Sequence, residues 1–326
     1  MIASQLPVTT RTLTLAEYLA SWTDVTRSRV RPSTRDTYEI NVRRLVAQLG
    51  PVPITRLNPP RTQGAYLALL EDGLSDYSVL QAHRMLHRAL GQALHCGLVS
   101  RNPAAMALPP RPRKRTMTAL TTDQLNLLFA QTRSDRLHAL WFVLGTAGLR
   151  LGEALGLAWD DVDLGTGRLV VRRALQHQKG AGFVFVLPKT ATSRRTVVLT
   201  RRAVEALRSH RHLEHERRLR TTDWHDSGLG FTNTYGGPLQ QSRPAVGLQR
   251  ALRETGLPKI RVHDLRHTAA SALLQAGVHP KVVQDMLGHS SITTTMDTYA
   301  TSCRPSMTTP SAAWTRSSRT GDTVLR

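Results

Sequence analysis

Aromatic side chains make up only 5% of the 326 residues, so any hydrophobic interior must lean on leucine, valine and alanine. Cysteine is nearly missing. Cys96 and Cys303 stand far apart without metal-ligand spacing, which argues against a disulfide framework and fits a reducing compartment. No apolar run reaches the roughly 18 residues that a membrane-spanning helix needs. The N-terminus, MIASQLPVTTRTLTLAEYLA, lacks a charged start followed by an apolar stretch, so a secretory signal is not expected there. Negative charge is also scarce: 23 acidic residues face 44 Lys and Arg, a formal net charge of +21.

A surplus of that size calls for a polyanion or a tolerance of self-repulsion. Nucleic acid is the expected partner, because each phosphate neutralised releases counterions and strengthens binding. An anionic membrane surface, or a GC-rich genome that favours arginine, would also give a basic chain. The length allows two domains, and the 40% apolar share is enough for packed cores.

Residues 13–101 read as wholly helical. LTLAEYLASWTDV places Leu15, Tyr18, Leu19 and Trp22 at helical spacing. The next helix starts at Pro32–Ser33 and stops at Gly50, a third lies between Asn58 and Asp72, and a fourth runs from Ser75 to Cys96. The fourth would bury Val79, Leu80, Leu86, Leu90 and Leu94 and turn His83, Arg84, His87 and Arg88 outward, as a solvated basic face or one laid on DNA. Residues 102–117 read as an extended, proline-rich linker carrying Arg111, Arg113, Lys114 and Arg115. Beyond it come a helix capped by Thr121 or Thr122, a Gly-Leu-Arg turn between two helices, and three strand signals at 167–175, 183–187 and 194–200. These predict one small antiparallel sheet within a mainly α chain, an α+β class. A basic helix (201–219) and a final helical segment follow.

Several polar residues could carry chemistry. Arg150, in GTAGLRLGEAL, is either a helix-end arginine paired with Glu153 or a half-buried guanidinium aimed into a cleft and held by that carboxylate. Lys189, in LPKTATSRR, is a surface turn lysine or an ammonium able to protonate a leaving alkoxide. His263 and Arg266, in HDLRH, share a helix face, and burying them together is costly unless an anion balances them. His267 reads as a supporting residue. His289, in MLGHSS, follows the helix-stopping Gly288, and Tyr299 follows TTTMDT. A phenol with a pKa near 10 needs activation to act as a nucleophile at neutral pH.

The order Arg, Lys on a hairpin, His-x-x-Arg, Gly-His, then Tyr ten residues on resembles the tyrosine recombinase (phage integrase) family. GLRLGEALGLAWDDVD, PKTATSRRTVVL, HDLRHTAAS, LGHSS and TTTMDTYA carry the resemblance, which extends from about Leu13 to Ala300. It implies a C-shaped DNA clamp: a helical, SAM-like core-binding domain (13–101), the basic linker and a catalytic domain (118–302). It further implies that Arg150 and Arg266 clamp the scissile phosphate, with Glu153 orienting Arg150 or His263. Tyr299 attacks to give a 3′-phosphotyrosyl link, Lys189 protonates the 5′-oxygen, His263 helps take the tyrosine proton and His289 binds the phosphate. Neither metal nor ATP is implied. The partners implied are double-stranded attachment sites and three further copies of the chain, in a bacterial cytoplasm at the nucleoid.

Two departures from the family pattern stand out. Only about a dozen residues precede Leu13, which leaves no arm-site-binding domain; a simple recombinase and a truncated start both fit. The tail 303–326 shows no helical stripe, where family members usually continue with a helix that docks on a neighbouring protomer. A frameshift just after Ala300 is the expectation, with impaired recombination as its consequence, and the gene's nucleotide sequence tests it. A non-catalytic helix-turn-helix regulator, a type IB topoisomerase and a chromosome-dimer-resolving recombinase remain alternatives to a mobile-element integrase.

Overall fold

The computed structural model of the chain describes residues 12–113, 117–187, 194–288 and 291. The chain divides into two compact units, Met1–Arg115 and Thr116–Arg326.

Among the described residues the first unit holds five α-helices, α1 (Leu15–Thr26), α2 (Pro32–Leu49), α3 (Pro59–Glu71), α4 (Asp76–His95) and α5 (Pro103–Met106). Their starts are written in the sequence. The Thr14 hydroxyl accepts from Glu17 N while Glu17 Oε2 accepts from Thr14 N at 3.0 Å, and Asn58 and Ser75 cap α3 and α4. Leu15, Leu19, Leu45, Tyr66, Leu86 and Leu90 are fully buried at the centre. Each buried leucine contributes about 1.5–3 kcal/mol. The α4 stripe differs from the expected one. Leu94 is exposed and Leu80 half-buried, while Ala82, Met85, Ala89 and Ala93 are buried, because small residues let the other helices approach closely. The extended linker expected from residue 102 also starts later: Pro103–Met106 form a helical turn capped by Asn102, and Ala104 and Ala107 join this first core.

The second unit begins with α6 (Thr122–Gln131), α7 (His138–Ala147) and α8 (Leu151–Leu155). HALWFVLGTA is apolar all round, and α7 packs against both α9 (Arg201–Arg220) and α11 (Val262–Gln275). Among the described residues the strand segments form two small sheets rather than one. β1 (Val162–Asp163), β2 (Arg168–Val171) and β5 (Arg195–Val198) pair antiparallel, with Leu169 opposite Val197. β3 (Ala174–Gln178) and β4 (Gly182–Val186) form a separate hairpin. The expected strand 167–175 breaks at Arg172 and Arg173, where Arg172 pairs with Asp161 at 2.7 Å and Arg173 Nε donates to Gly156 O at 3.0 Å. α10 (Ser242–Glu254) and α12 (Pro280–Leu287) complete the unit, α12 stopping at Gly288 with φ +66°. The tail 303–326 lies outside the described residues.

Candidate active site

Two segments distant in sequence meet at Glu153, and their arginines reach the end of a third. α7 ends at Gly148 in the left-handed region, φ +63°, where an added Cβ would lie 2.6 Å from a Leu287 methyl. Glycine alone permits both that turn and the approach of α12. The turn puts Arg150 at the N-cap of α8, a position its side chain cannot serve as an acceptor. Glu153 reaches back instead: Arg150 N donates to Oε2 at 2.9 Å and Arg150 Nη1 to Oε1 at 2.7 Å. From β5, Arg195 Nη2 donates to Oε2 at 2.8 Å and Nη1 to Oε1 at 3.4 Å. Glu153 and Arg195 are buried, whereas the Arg150 side chain is 42% exposed. Burial alone would raise the Glu153 pKa. The hydrogen bonds and charge of Arg195, followed by those of Arg150, outweigh it and hold the carboxyl below its ordinary 4.5.

Arg266, from α11, is buried to 1% exposure. Its Nη1 donates to Gly148 O at 2.7 Å and its Nη2 to Leu287 O at 2.6 Å. Those carbonyls sit at the carboxyl ends of α7 and α12, where helix dipoles concentrate negative potential. The balance expected from an anion is thus supplied in part by two helix ends. The same end of α12 is held three times in a row: Met286 O accepts from Arg195 Nε at 2.6 Å, Leu287 O from Arg266, and Gly288 O from Arg150 Nη2 at a long 3.5 Å.

His263 sits one turn before Arg266 and keeps an accessible face. Partial burial, then the Arg266 guanidinium, then Arg150, lower its pKa below 6.5, so the ring is neutral at pH 7 and able to accept a proton. His267 stacks edge-on against it, centroids 5.0 Å apart, and burial followed by the His263 charge lowers its pKa to about 4. Asp264 is taken by Arg261, whose Nη2 donates at 2.9 Å, and it caps the helix through Arg261 N at 2.8 Å.

Arg150, Glu153 and Arg266 are therefore gathered around the end of α12, with His263 beside them on α11. Glu153 orients Arg150 and Arg195; no hydrogen bond to His263 is seen among the described residues. Lys189, His289 and Tyr299 lie outside the described residues, although His289 directly follows Gly288 in the chain. Arg195 went unnoticed in the sequence. Its signal was the strand period: β5 alternates buried and exposed, and Val197 facing inward places Arg195 inward as well. Among the described residues no group of three or more His, Cys, Asp or Glu is placed to hold a metal ion.

In the first unit Arg84 and Arg88 are exposed on α4, and Arg88 Nη1 donates to Tyr38 Oη at 2.8 Å. With Ser33, Thr34, Thr37, Asn41 and Gln81 they line a groove of about 530 Å³ between α2 and α4. His83 does not share this charge. It turns towards Tyr66, Nδ1 lying 2.9 Å from the phenol oxygen, and burial, then its His87 and Arg84 neighbours, lower its pKa. Arg111 and Arg113 are exposed, and Lys114 and Arg115 lie outside the described residues.

Residues 118–304 match the model of the phage integrase family. A tyrosine recombinase XerC-like protein of Caldanaerobacter subterraneus subsp. tengcongensis is 27% identical over 319 residues, covering 91% of this chain and 82% of that protein. The integrase of Mycobacterium phage L5 is 27% identical over 282 residues, covering 85% and 72%. In fold, the chain is similar to the Tn1549 transposon integrase solved in complex with a circular intermediate DNA, with a TM-score of 0.76 at 23% identity, covering 88% of this chain and 95% of that one. With a family model matched over more than half its length, the chain belongs to the phage integrase family of tyrosine recombinases.

Proposed function

We propose that this protein is the site-specific recombinase of a mobile element, cutting and rejoining duplex DNA through Tyr299. Arg150 and Arg266 hold the two non-bridging oxygens of the scissile phosphodiester. The Tyr299 oxygen attacks phosphorus in line, and His263, neutral at pH 7, takes the phenol proton. The bond from phosphorus to the 5′-oxygen breaks, and Lys189 gives that oxygen a proton. His289 donates to the phosphate. A 5′-hydroxyl from another strand then reverses the sequence, so the energy of the broken ester is retained in the phosphotyrosine.

Charge is what the pocket contributes. Arg150 and Arg195 share one carboxylate and Arg266 rests on backbone carbonyls, which leaves two positive charges among the groups named, matching the dianionic phosphorane better than the monoanionic ester. A site that gains attraction as charge develops lowers the barrier. The carrying observation is the convergence of Arg150 and Arg266, 116 positions apart, on the two carbonyls that directly precede His289. A DNA-binding regulator would gain nothing from burying guanidinium groups there.

Both units engage the duplex in this reading. Arg84 and Arg88 on α4, with Arg111, Arg113, Lys114 and Arg115 after it, contact phosphates. Each pocket cuts one strand, so exchange between two duplexes uses four copies, assembled at attachment sites on the nucleoid. Among the described residues no helix is long and apolar enough to cross a membrane. A nicked suicide duplex carrying the candidate attachment site tests the proposal. A denaturation-resistant protein–DNA adduct is expected with the wild type and none with Tyr299→Phe. Site-specific binding with no adduct would leave the regulator.

A further inference from the structure

Arg195 lies outside the six positions on which the family resemblance rests, yet it touches both halves of the site. We infer that Arg195 is a positioning residue for strand cleavage: it holds Glu153, and through it Arg150, and it locks the end of α12 three residues before His289. The inference deepens the recombinase reading and rests on it.

Three observations point the same way. Glu153 is shared. Each of its oxygens accepts from Arg150 on one side and Arg195 on the other: Arg195 spans both oxygens, Nη2 at 2.8 Å and Nη1 at a long 3.4 Å, while Arg150 gives one guanidinium nitrogen and its backbone N–H. Without Arg195 the carboxylate is free to take Arg150 in the stronger bidentate geometry and draw it from a phosphate. Next, Arg195 Nε donates to Met286 O at 2.6 Å, tying the same guanidinium to the last turn of α12. Finally, Gly288 fits against it. An added Cβ there would lie 3.1 Å from Nη1 and 3.3 Å from Cδ, and the backbone has φ +66°. The side chain thus fixes where the chain leaves α12 towards His289 and Tyr299. Arg194, next to it, is exposed and makes no such link among the described residues.

Lysine separates charge from geometry. Its single ammonium keeps the charge of Arg195 but cannot span Glu153 and Met286 O as a planar fork does. The experiment is single-turnover adduct formation on a nicked suicide duplex at saturating DNA, with affinity measured in parallel on the intact duplex. For Arg195→Met the adduct rate is expected to fall about 10²-fold, the loss typical of a reacting group misplaced by about 1 Å. The dissociation constant should stay within about threefold. Arg195→Lys is expected to recover less than about tenfold of the rate, and it carries the test if the methionine variant does not fold. Combining Arg195→Lys with Arg150→Lys should cost less than the product of the separate losses, since one of the two routes by which Arg195 acts runs through the Arg150 guanidinium. Multiplying losses, affinity falling in step with rate, or a lysine variant at wild-type rate would each overturn the assignment.

The wild type is the separate control for the parent reading, since absence of its adduct refutes the recombinase and not the positioning role. That role is then decided by arginine side-chain ¹⁵N spectra. The Arg150 Nε–H signal should be ordered in the wild type and averaged in Arg195→Lys, and an unchanged signal would overturn it.

Discussion

Replacing Glu153 by glutamine keeps the shape of the side chain and removes the one carboxylate that two arginines share. In the native protein both oxygens are engaged, by Arg150 at 2.7 and 2.9 Å and by Arg195 at 2.8 and 3.4 Å. The Glu153 and Arg195 side chains are each 6% exposed, so water cannot replace the lost partner. The amide oxygen can still accept two of the four bonds, but the NH₂ now faces guanidinium groups that have only donors. Removing one member of a buried ion pair costs about 3–5 kcal/mol. Losing two charge-assisted hydrogen bonds at about 1.5–3 kcal/mol each gives the same range. For a unit of this size, about 2–4 °C per kcal/mol converts the loss to a melting shift of roughly 6–20 °C. Scanning calorimetry on wild type and Glu153→Gln at pH 7.5 measures it. The pH dependence adds a sign. Because the Glu153 pKa lies below 4.5 in the folded state, its stabilisation is fully present above pH 4.5 and fades only as pH falls through the folded value. The gap between the two proteins should therefore be constant from pH 8 to 5. A shift smaller than about 2 °C, or a gap that narrows between pH 7 and 5, refutes the shared-carboxylate account.

The histidines of α11 give a second pH effect of opposite origin. The His267 pKa falls from 6.5 to about 4 on folding, so between those values the unfolded chain binds a proton that the folded one refuses. Stability should decline as pH drops from 6.5 towards 4, and His267→Gln should flatten that slope in melting curves; equal slopes would contradict the burial argument. His263 is also depressed, so the adduct rate should stay level from pH 8 to 6.5 and fall only below, and a fall beginning near pH 7.5 would rule it out as the base. For α4, Arg84→Gln and Arg88→Gln should each reduce the slope of log affinity against log salt by about 1, the signature of one lost phosphate contact. An unchanged slope would mean that the groove between α2 and α4 does not face the duplex.

Much of the helical scaffold was legible because its signals are local. Thr14, Asn58, Ser75 and Thr121 cap where their residue types suggest, and Gly148 and Gly288 end helices in the left-handed region. Arg150 and Glu153 could be paired from their three-residue spacing alone. The partition of the strands was harder. GRLVVRRAL reads as one run, and the break at Arg172 and Arg173 depends on Asp161 and Gly156, which precede the run and meet it only through folding. The α4 stripe was misjudged at Leu94 because alanines carry little hydrophobic weight in a sequence, yet they decide how closely helices approach. Arg195 was missed for the reverse reason. A basic residue beside another basic residue, next to a turn, reads as surface, and only the inward register of Val197 sets it apart. The need for an anion beside Arg266 was sound chemistry, but the helix-end carbonyls of Gly148 and Leu287 are invisible to any reading of side chains.

The central claim is that these guanidinium groups serve a phosphodiester attacked by Tyr299. Mass spectrometry of the protease-digested adduct, formed on a duplex with a single labelled strand, tests it most directly. The account predicts one modified peptide, with the nucleotide joined through its 3′-phosphate to Tyr299 and a free 5′-hydroxyl on the released strand. A nucleotide on any other side chain, or a 5′-phosphate at the link, would contradict it.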